Sequence, residues 1–233
     1  MRGSIKIPRT RKGRMAEHAS ISQEDYLKAI YKMLASSEEP ISARLSEQLK
    51  VTPPAVTTAL KRMARHGYVR LDSKGGHMRL TRRGTRIAQR LVLRHRLVEK
   101  LLTEVLGMDW KVVHEEAEKL EHAISEEVER RLLEYFGREG TCPHGYPLFG
   151  GAAKLRRQGA KPLGQALPGA RLKVVRVEEG FGFLEFLDRL HIRPGTEVRV
   201  IERTFDETMT VAVGARRYHL AKSTTARIWV RKA

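Results

Sequence analysis

The chain has 233 residues, enough to bury a sizeable core in one large domain or two to three small ones. With 41% hydrophobic and 31% charged residues it reads as soluble, and no apolar run approaches the roughly 20 residues of a membrane span, so no membrane partner is expected. A single cysteine, Cys142, excludes an intramolecular disulfide framework, while a formal net charge of +18 favours a polyanionic partner such as nucleic acid.

The opening "MRGSIKIPRTRKGRM" is basic but has no apolar core behind it, so it is not a secretory signal, and a cytoplasmic location is expected. Residues 1–19 read as a disordered basic arm. Order should begin near Ser22, which can cap a helix carrying Leu27, Ile30, Tyr31 and Leu34 at helical spacing and broken at Pro40. "SARLSEQLK" predicts a second, short helix with Ser42 as its cap. "TPPAVTTALKRMARHG" predicts a third, in which Thr52 caps, Pro53 takes the first turn and Gly67 terminates.

In "YVRLDSKGGHMRLT" the period changes to two, with Val69 and Leu71 running out to a Gly75-Gly76 turn and Met78 and Leu80 running back. Three helices and a hairpin make the winged helix-turn-helix pattern, whose third helix enters the major groove. Thr52, Pro54, Thr57 and Thr58 head that helix, Lys61, Arg62 and Arg65 follow, and Lys74, Arg79, Arg82 and Arg83 surround the wing; this favours double-stranded DNA.

From Thr81 a long helical pattern runs to a Gly107 stop. Another begins after Asp109, keeps Val113, Ala117, Leu120 and Ile124 on one stripe, restarts at Ser125 and ends at Gly137. Two striped helices behind a DNA-binding unit predict packing against a symmetry mate, because dimers match palindromic operators. "GTCPHGYPLFGG" is a loop in which Cys142 and His144 read as a packed thiol and a loop histidine, and residues 150–167 read as a flexible basic linker. Residues 168–233 alternate as strands in "RLKVVRV", "TEVRVIE", "MTVAV" and "ARIWV" around the short helix "FLEFLDRL", which predicts a small SH3-like β-barrel. The fold class is therefore a mainly α N-terminal part, a winged helix-turn-helix plus a helical dimerisation domain, followed by that barrel.

Within the second striped helix, "HEEAEKLEH" puts His114, Glu118, Glu121 and His122 in one quadrant of a wheel at about 100° per residue. That face suits a cation. It is not a zinc-protease motif, because HExxH requires His at the position of Glu118. His95 and Glu99, four apart, share a face in the same way. No nucleophile or phosphate-loop motif accompanies these groups, so neither enzyme activity nor a small-molecule substrate is expected.

Taken together, "EDYLKAIY", "RHRLVEKLLTEVLG", "VHEEAEKLEHAISEEVERRL", the "PHGYP" loop and the C-terminal strands resemble the diphtheria toxin repressor family of metal-dependent transcriptional regulators. The resemblance implies a winged-helix domain over 20–90, a metal-binding and dimerisation domain over 91–149 and an SH3-like (FeoA-like) domain over 168–233. It also implies a regulatory metal site of Asp25, Glu118, Glu121 and His122. A second site would use His95, Glu99, His114 and a barrel ligand, for which Glu178 is taken over its neighbour Glu179. Read alone, Asp25 is also the acidic member of a capping box opened by Ser22, and His95 with Glu99 an ordinary helical pair; seven such residues in register favour ligands. The iron-responsive members carry Met and Cys at the positions of Asp25 and Glu118. The oxygen donors here point to Mn(II), with Fe(II) or another divalent transition metal as the alternative. Lys28 stands where the shortest members have a further Glu, which argues against a bridged two-metal cluster. The expected protein is a homodimeric Mn(II)-responsive repressor of metal-uptake genes, with an iron-dependent repressor or a constitutive nucleoid-type DNA binder as the other readings.

Overall fold

A computed structural model describes residues 21–36, 38–72 and 78–233; the basic arm, Lys74 and the Gly75-Gly76 turn fall outside those residues. Helix α1 spans Ile21–Ala35, so Ser22 already lies inside it. Its Tyr26, Leu27, Ile30 and Met33 are buried at the three-to-four spacing that turns one stripe of a helix to a core. Helix α2 spans Ser42–Leu49 and starts one residue before the expectation, with Ile41 as N-cap and no cap bond from a side chain. Helix α3 spans Pro53–Arg65 behind Thr52, whose extended backbone lets Pro53, which has no N–H to leave unpaired, open the first turn. Val56, Leu60 and Met63 join Leu27, Ile30 and Leu45 in one core. Strands β1 (Val69–Leu71) and β2 (Met78–Leu80) pair antiparallel with Val69 opposite Leu80, and this hairpin is the wing.

Helix α4 spans Arg82–Lys100, capped by Thr81 Oγ1 accepting from the Gly84 N–H. A Cβ on Gly84 would lie 2.1 Å from the Tyr68 carbonyl oxygen, so the helix seats on the wing only with glycine there. The expected single helix to Gly107 changes pitch at Leu101–Val105, a turn of π-helix. Thr103 sits at this point and its hydroxyl donates to the Glu99 carbonyl at 2.6 Å, competing for a helix acceptor. Helices α5 (Val113–Leu120) and α6 (Glu126–Phe136) follow, α6 capped by Ser125 and ended by Gly137. Val113 and Ala117 pack on Val98 and Leu102 of the same chain while Leu120 is exposed, so the predicted stripe is mostly spent within the protomer.

The segment expected to be a linker is ordered. It holds α7 (Gly151–Arg157), β3 (Lys161–Pro162) and a 3₁₀ turn at Leu163–Gln165. Leu155 and Ala160 bury against Trp229, a partner far along the chain that local composition does not reveal. Then come β4 (Arg171–Val177), α8 (Phe181–Arg189), β5 (Glu197–Arg203), β6 (Met209–Val213), β7 (Arg216–Leu220), α9 (Lys222–Ala226) and β8 (Ile228–Lys232). The strands form one antiparallel sheet in the order β3-β8-β4-β5-β6-β7 around Leu184, Leu187, Val198, Val200, Met209 and Val211. The β7 strand and α9 were not foreseen. Trp110, from the segment before α5, belongs to this core and donates to Asp188 at 3.3 Å, which ties the helices to the barrel.

Candidate metal centre and DNA-reading face

One turn of α4 separates His95 from Glu99, and both are buried. Glu99 Oε1 is a meeting point: His95 Nε2 lies 3.0 Å away, His114 Nδ1 of α5 3.2 Å, and His144 Nδ1 of the loop after α6 3.1 Å. Cys142 of that loop and Glu179, just past β4, complete the cluster. Its donor atoms fall into two overlapping sets, each within 4.8 Å: His95, Glu99, His114 and Glu179, and Glu99, Cys142, His144 and Glu179.

The hydrogen-bonding roles are dictated from outside the cluster. His144 Nε2 is 2.8 Å from the Trp110 carbonyl, which only accepts, so that nitrogen carries a proton. His95 Nδ1 faces Glu121 Oε2 at 2.5 Å and donates to it. In the neutral rings the other nitrogens are lone pairs aimed at Glu99, an arrangement that repels unless a cation or further protons lie among them. Glu99 Oε2 is moreover buried with no hydrogen-bond partner among the described residues. On both counts the residues fit a divalent cation. Burial disfavours charge here, yet the Glu99 carboxylate beside His95 and His144 raises both imidazoles, and the three rings hold Glu99 well below the usual carboxylate range. Burial, with the charges of Glu99 and Glu179, pushes the Cys142 thiol up. Against its burial, Glu179 is held down to about 2, chiefly by Lys32.

A second group joins two units of the fold. Asp25 of α1 lies 3.0 Å from His122 Nε2, which is 3.6 Å from Glu121 Oε1, and Glu24 accepts from His122 Nδ1 at 2.7 Å. Asp25, Glu121 and His122 are brought together as a possible ligand set; Glu118 is not. The wheel that aligned them holds only to Leu120, where α5 gives way to a tighter turn with the Ala123 N–H on the Leu120 carbonyl. Glu118 is half exposed and lies 3.5 Å from Lys28 and 3.7 Å from His114.

The barrel ligand also differs from the expectation. Glu178 turns away to Arg227 at 3.2 Å, and it is Glu179 that reaches the cluster, 3.5 Å from His114. The choice lay between adjacent residues at a strand end, where a one-residue step reverses the side chain's direction. Cys142, His144 and Glu24 were missed as members of these groups. The pair Cys142-Pro-His144 was a local signal, but a loop has no period by which to read direction. The loop is pinned in three places: Arg96 donates to the Pro147 carbonyl at 2.5 Å, the Val177 N–H donates to the His144 carbonyl at 2.9 Å, and Gly145, at φ +87°, lies flat on β4.

On the winged helix, Thr52, Pro54, Thr57, Thr58, Lys61 and Arg62 are exposed along one side of α3, and Arg79 is exposed on β2. Thr57 and Thr58 donate to the carbonyls of Pro53 and Pro54 at 3.1 and 3.0 Å, which leaves their oxygen lone pairs and methyls outward. Basic and hydroxyl groups therefore share the outer face of the helix whose inner face is core.

Fold and clusters together define a class, that of winged-helix proteins with clusters of candidate metal-ligating residues in the helices behind the winged-helix unit. Residues 18–77 match the model for the N-terminal DNA binding domain of iron dependent repressors, residues 81–150 that for their metal binding and dimerisation domain, and residues 161–232 the FeoA domain. The chain is 33% identical over 196 residues to the diphtheria toxin repressor of Corynebacterium diphtheriae, covering 77% of this chain and 84% of that one. It belongs to this iron-dependent repressor family. It is 38% identical to the iron-dependent repressor IdeR of Mycobacterium leprae, of whose length it spans 64%, just under two thirds. Among solved structures it is similar to a manganese-dependent transcriptional repressor in complex with manganese, with TM-score 0.79, 28% identity and coverage of 91% of this chain and 100% of that one. Its likeness to IdeR of T. acidophilum has TM-score 0.74 at 27% identity, over 93% of this chain and 100% of that one. No helix among the described residues is long and apolar enough to cross a membrane.

Proposed function

We propose that this chain is a cytoplasmic, homodimeric, Mn(II)-responsive repressor that binds a double-stranded DNA operator when a divalent cation is present. The observation that carries the reading is the approach of Asp25, on the first helix of the winged-helix unit, to His122 at 3.0 Å and thereby to Glu121. A bound divalent cation supplies positive charge shared between ligands of both units. Whichever arrangement brings Asp25 against Glu121 and His122 binds that cation more tightly, and DNA selecting the same arrangement raises metal affinity by the same factor. Asp25, Glu121 and His122 offer oxygen and imidazole donors without sulfur, which supports a hard ion such as Mn(II). Around Glu99, where Cys142 adds a sulfur donor, a softer ion such as Fe(II) is the alternative.

The family's dimerisation region supports the homodimer, together with Val105, Leu106, Val128 and Tyr135, large apolar side chains left exposed along and between α4 and α6. Specific operator affinity is expected to vanish in excess chelator and to return with Mn(II) at fixed salt, as read by gel shift or anisotropy. Full affinity in chelator would sink the reading in favour of a constitutive binder. A panel of divalent ions in the same assay ranks Mn(II) against Fe(II).

The α3 face makes a further expectation. Replacing Thr58 by Ala should change operator preference by about 1 to 3 kcal/mol at one position, as for a lost base contact. A binding-site selection that returns the wild-type operator would move the reading function elsewhere on α3 or to the wing.

A further inference from the structure

Two lysines of α1 enter the ligand clusters. Lys28 is buried, and its ammonium donates to Glu121 Oε1 at 2.6 Å and lies 3.5 Å from Glu118. One helical turn on, Lys32 donates to Glu179 Oε2 at 2.9 Å. Asp25, Lys28, Lys32, His114, Glu118, Glu121 and His122 all line one open cleft of about 800 Å³. Both oxygens of Glu121 are thereby engaged, one by Lys28 and the other by His95.

We propose that Lys28 and Lys32 are tethered cations that stand in for metal in the carboxylate clusters, so that metal binding is an exchange of ammonium for divalent ion and the two lysines set the concentration at which the protein responds. The inference rests on the metal-responsive reading above and adds what determines its threshold. A carboxylate as buried as Glu121 needs a counter-charge, and Lys28 supplies one from within the chain. A divalent ion coordinated by Glu121 Oε1 would meet an ammonium already on that oxygen. Either the lysine leaves or two cations crowd one oxygen and repel each other, and in both cases the ammonium opposes the incoming ion. The lysine can leave: its four-carbon stem is flexible, its head group is strongly hydrated, and the cleft beside it is open. Lys32 stands in the same relation to Glu179, on which His114 also converges at 3.5 Å. The observed affinity for metal is then the affinity of the ligands less that of the lysine already bound.

The same geometry gives the lysines a structural task. Lys28 joins α1 to the turn after α5, and Lys32 joins α1 to the end of β4. At Lys28 this is the connection that a metal held by Asp25, Glu121 and His122 would otherwise make, so there the exchange replaces one bridge by another; a metal at Glu179 would instead tie the end of β4 to α4 and α5.

The test uses the full-length chain with Lys28→Met, Lys28→Arg and Lys32→Met, all purified with Mn(II) present and then stripped. Free Mn(II) is followed by electron paramagnetic resonance to give dissociation constants and stoichiometry, and thermal unfolding is recorded in chelator and in Mn(II). Lys28→Met should bind one Mn(II) about tenfold or more tighter than wild type and should melt earlier than wild type in chelator but not in Mn(II). Lys28→Arg, which keeps the charge, should stay within about threefold of wild type. Lys32→Met is less buried and so tests the exchange where folding is not in question; it should tighten binding at the Glu179 cluster only. Wild-type binding of Mn(II) with no tightening in Lys28→Met or Lys32→Met overturns the exchange and leaves the metal-responsive reading standing. A wild type that binds no divalent ion overturns both.

Discussion

Gly145→Ala is expected to lower the stability of the folded chain by about 3 kcal/mol or more, the sum of overpacking and backbone strain. A Cβ at this residue would lie 2.0 Å from the Val175 carbonyl oxygen and 2.7 Å from Arg176 Cα, both backbone atoms that cannot swing aside. The residue also sits at φ +87°, which an L side chain disfavours. Relief requires the loop to lift from β4, and Cys142 and His144 leave with it. Urea unfolding followed by the fluorescence of Trp110 and Trp229 measures the loss; a change under about 1 kcal/mol would show that the loop repacks without strain.

The second large effect is Glu99→Gln, which should lower affinity at the buried cluster about 100-fold or more, enough to lose the ion on dialysis, while leaving the group of Asp25, Glu121 and His122 able to bind. Glu99 is wholly buried, and its Oε1 is within 3.2 Å of three imidazole nitrogens. The amide conserves volume but removes the charge, and its nitrogen brings two N–H groups to a place where acceptors already converge. Metal analysis after dialysis should show one ion fewer per chain than wild type. An unchanged ion count would mean that the His95, His114, Cys142, His144 and Glu179 donors suffice without Glu99, or that no ion binds there.

How far the sequence could be read is clear from particular residues. The winged helix was legible because its signals are local: the three-to-four spacing of Leu27 and Ile30, Pro53 behind Thr52, Gly67 at the end of α3, and the switch to period two at Val69. His95 with Glu99 was legible for the same reason, since one helical turn fixes their common direction. Where periodicity stopped, direction was lost. Glu178 and Glu179 differ by one step at the end of β4, Glu118 was aligned with Glu121 by a helix that ends at Leu120, and residues 150–167 look like a linker until Trp229 is placed against Leu155.

By itself, then, the sequence determined the class of most segments, though not of 150–167, β7 or α9, together with the basic and hydroxyl face of α3 and the supply of oxygen, imidazole and sulfur donors. The tertiary structure alone decided which donors meet: it drew Cys142 and His144 onto Glu99, chose Glu179, and laid Lys28 and Lys32 into the carboxylates. The reason is physical. Local order follows from hydrogen bonding and side-chain period within a few residues, whereas a cluster assembled from α1, α4, α5, a loop and a strand end depends on how packed elements dock. That docking is set by buried contacts such as Trp110 in the barrel core and Gly145 on β4, between residues far apart in the chain.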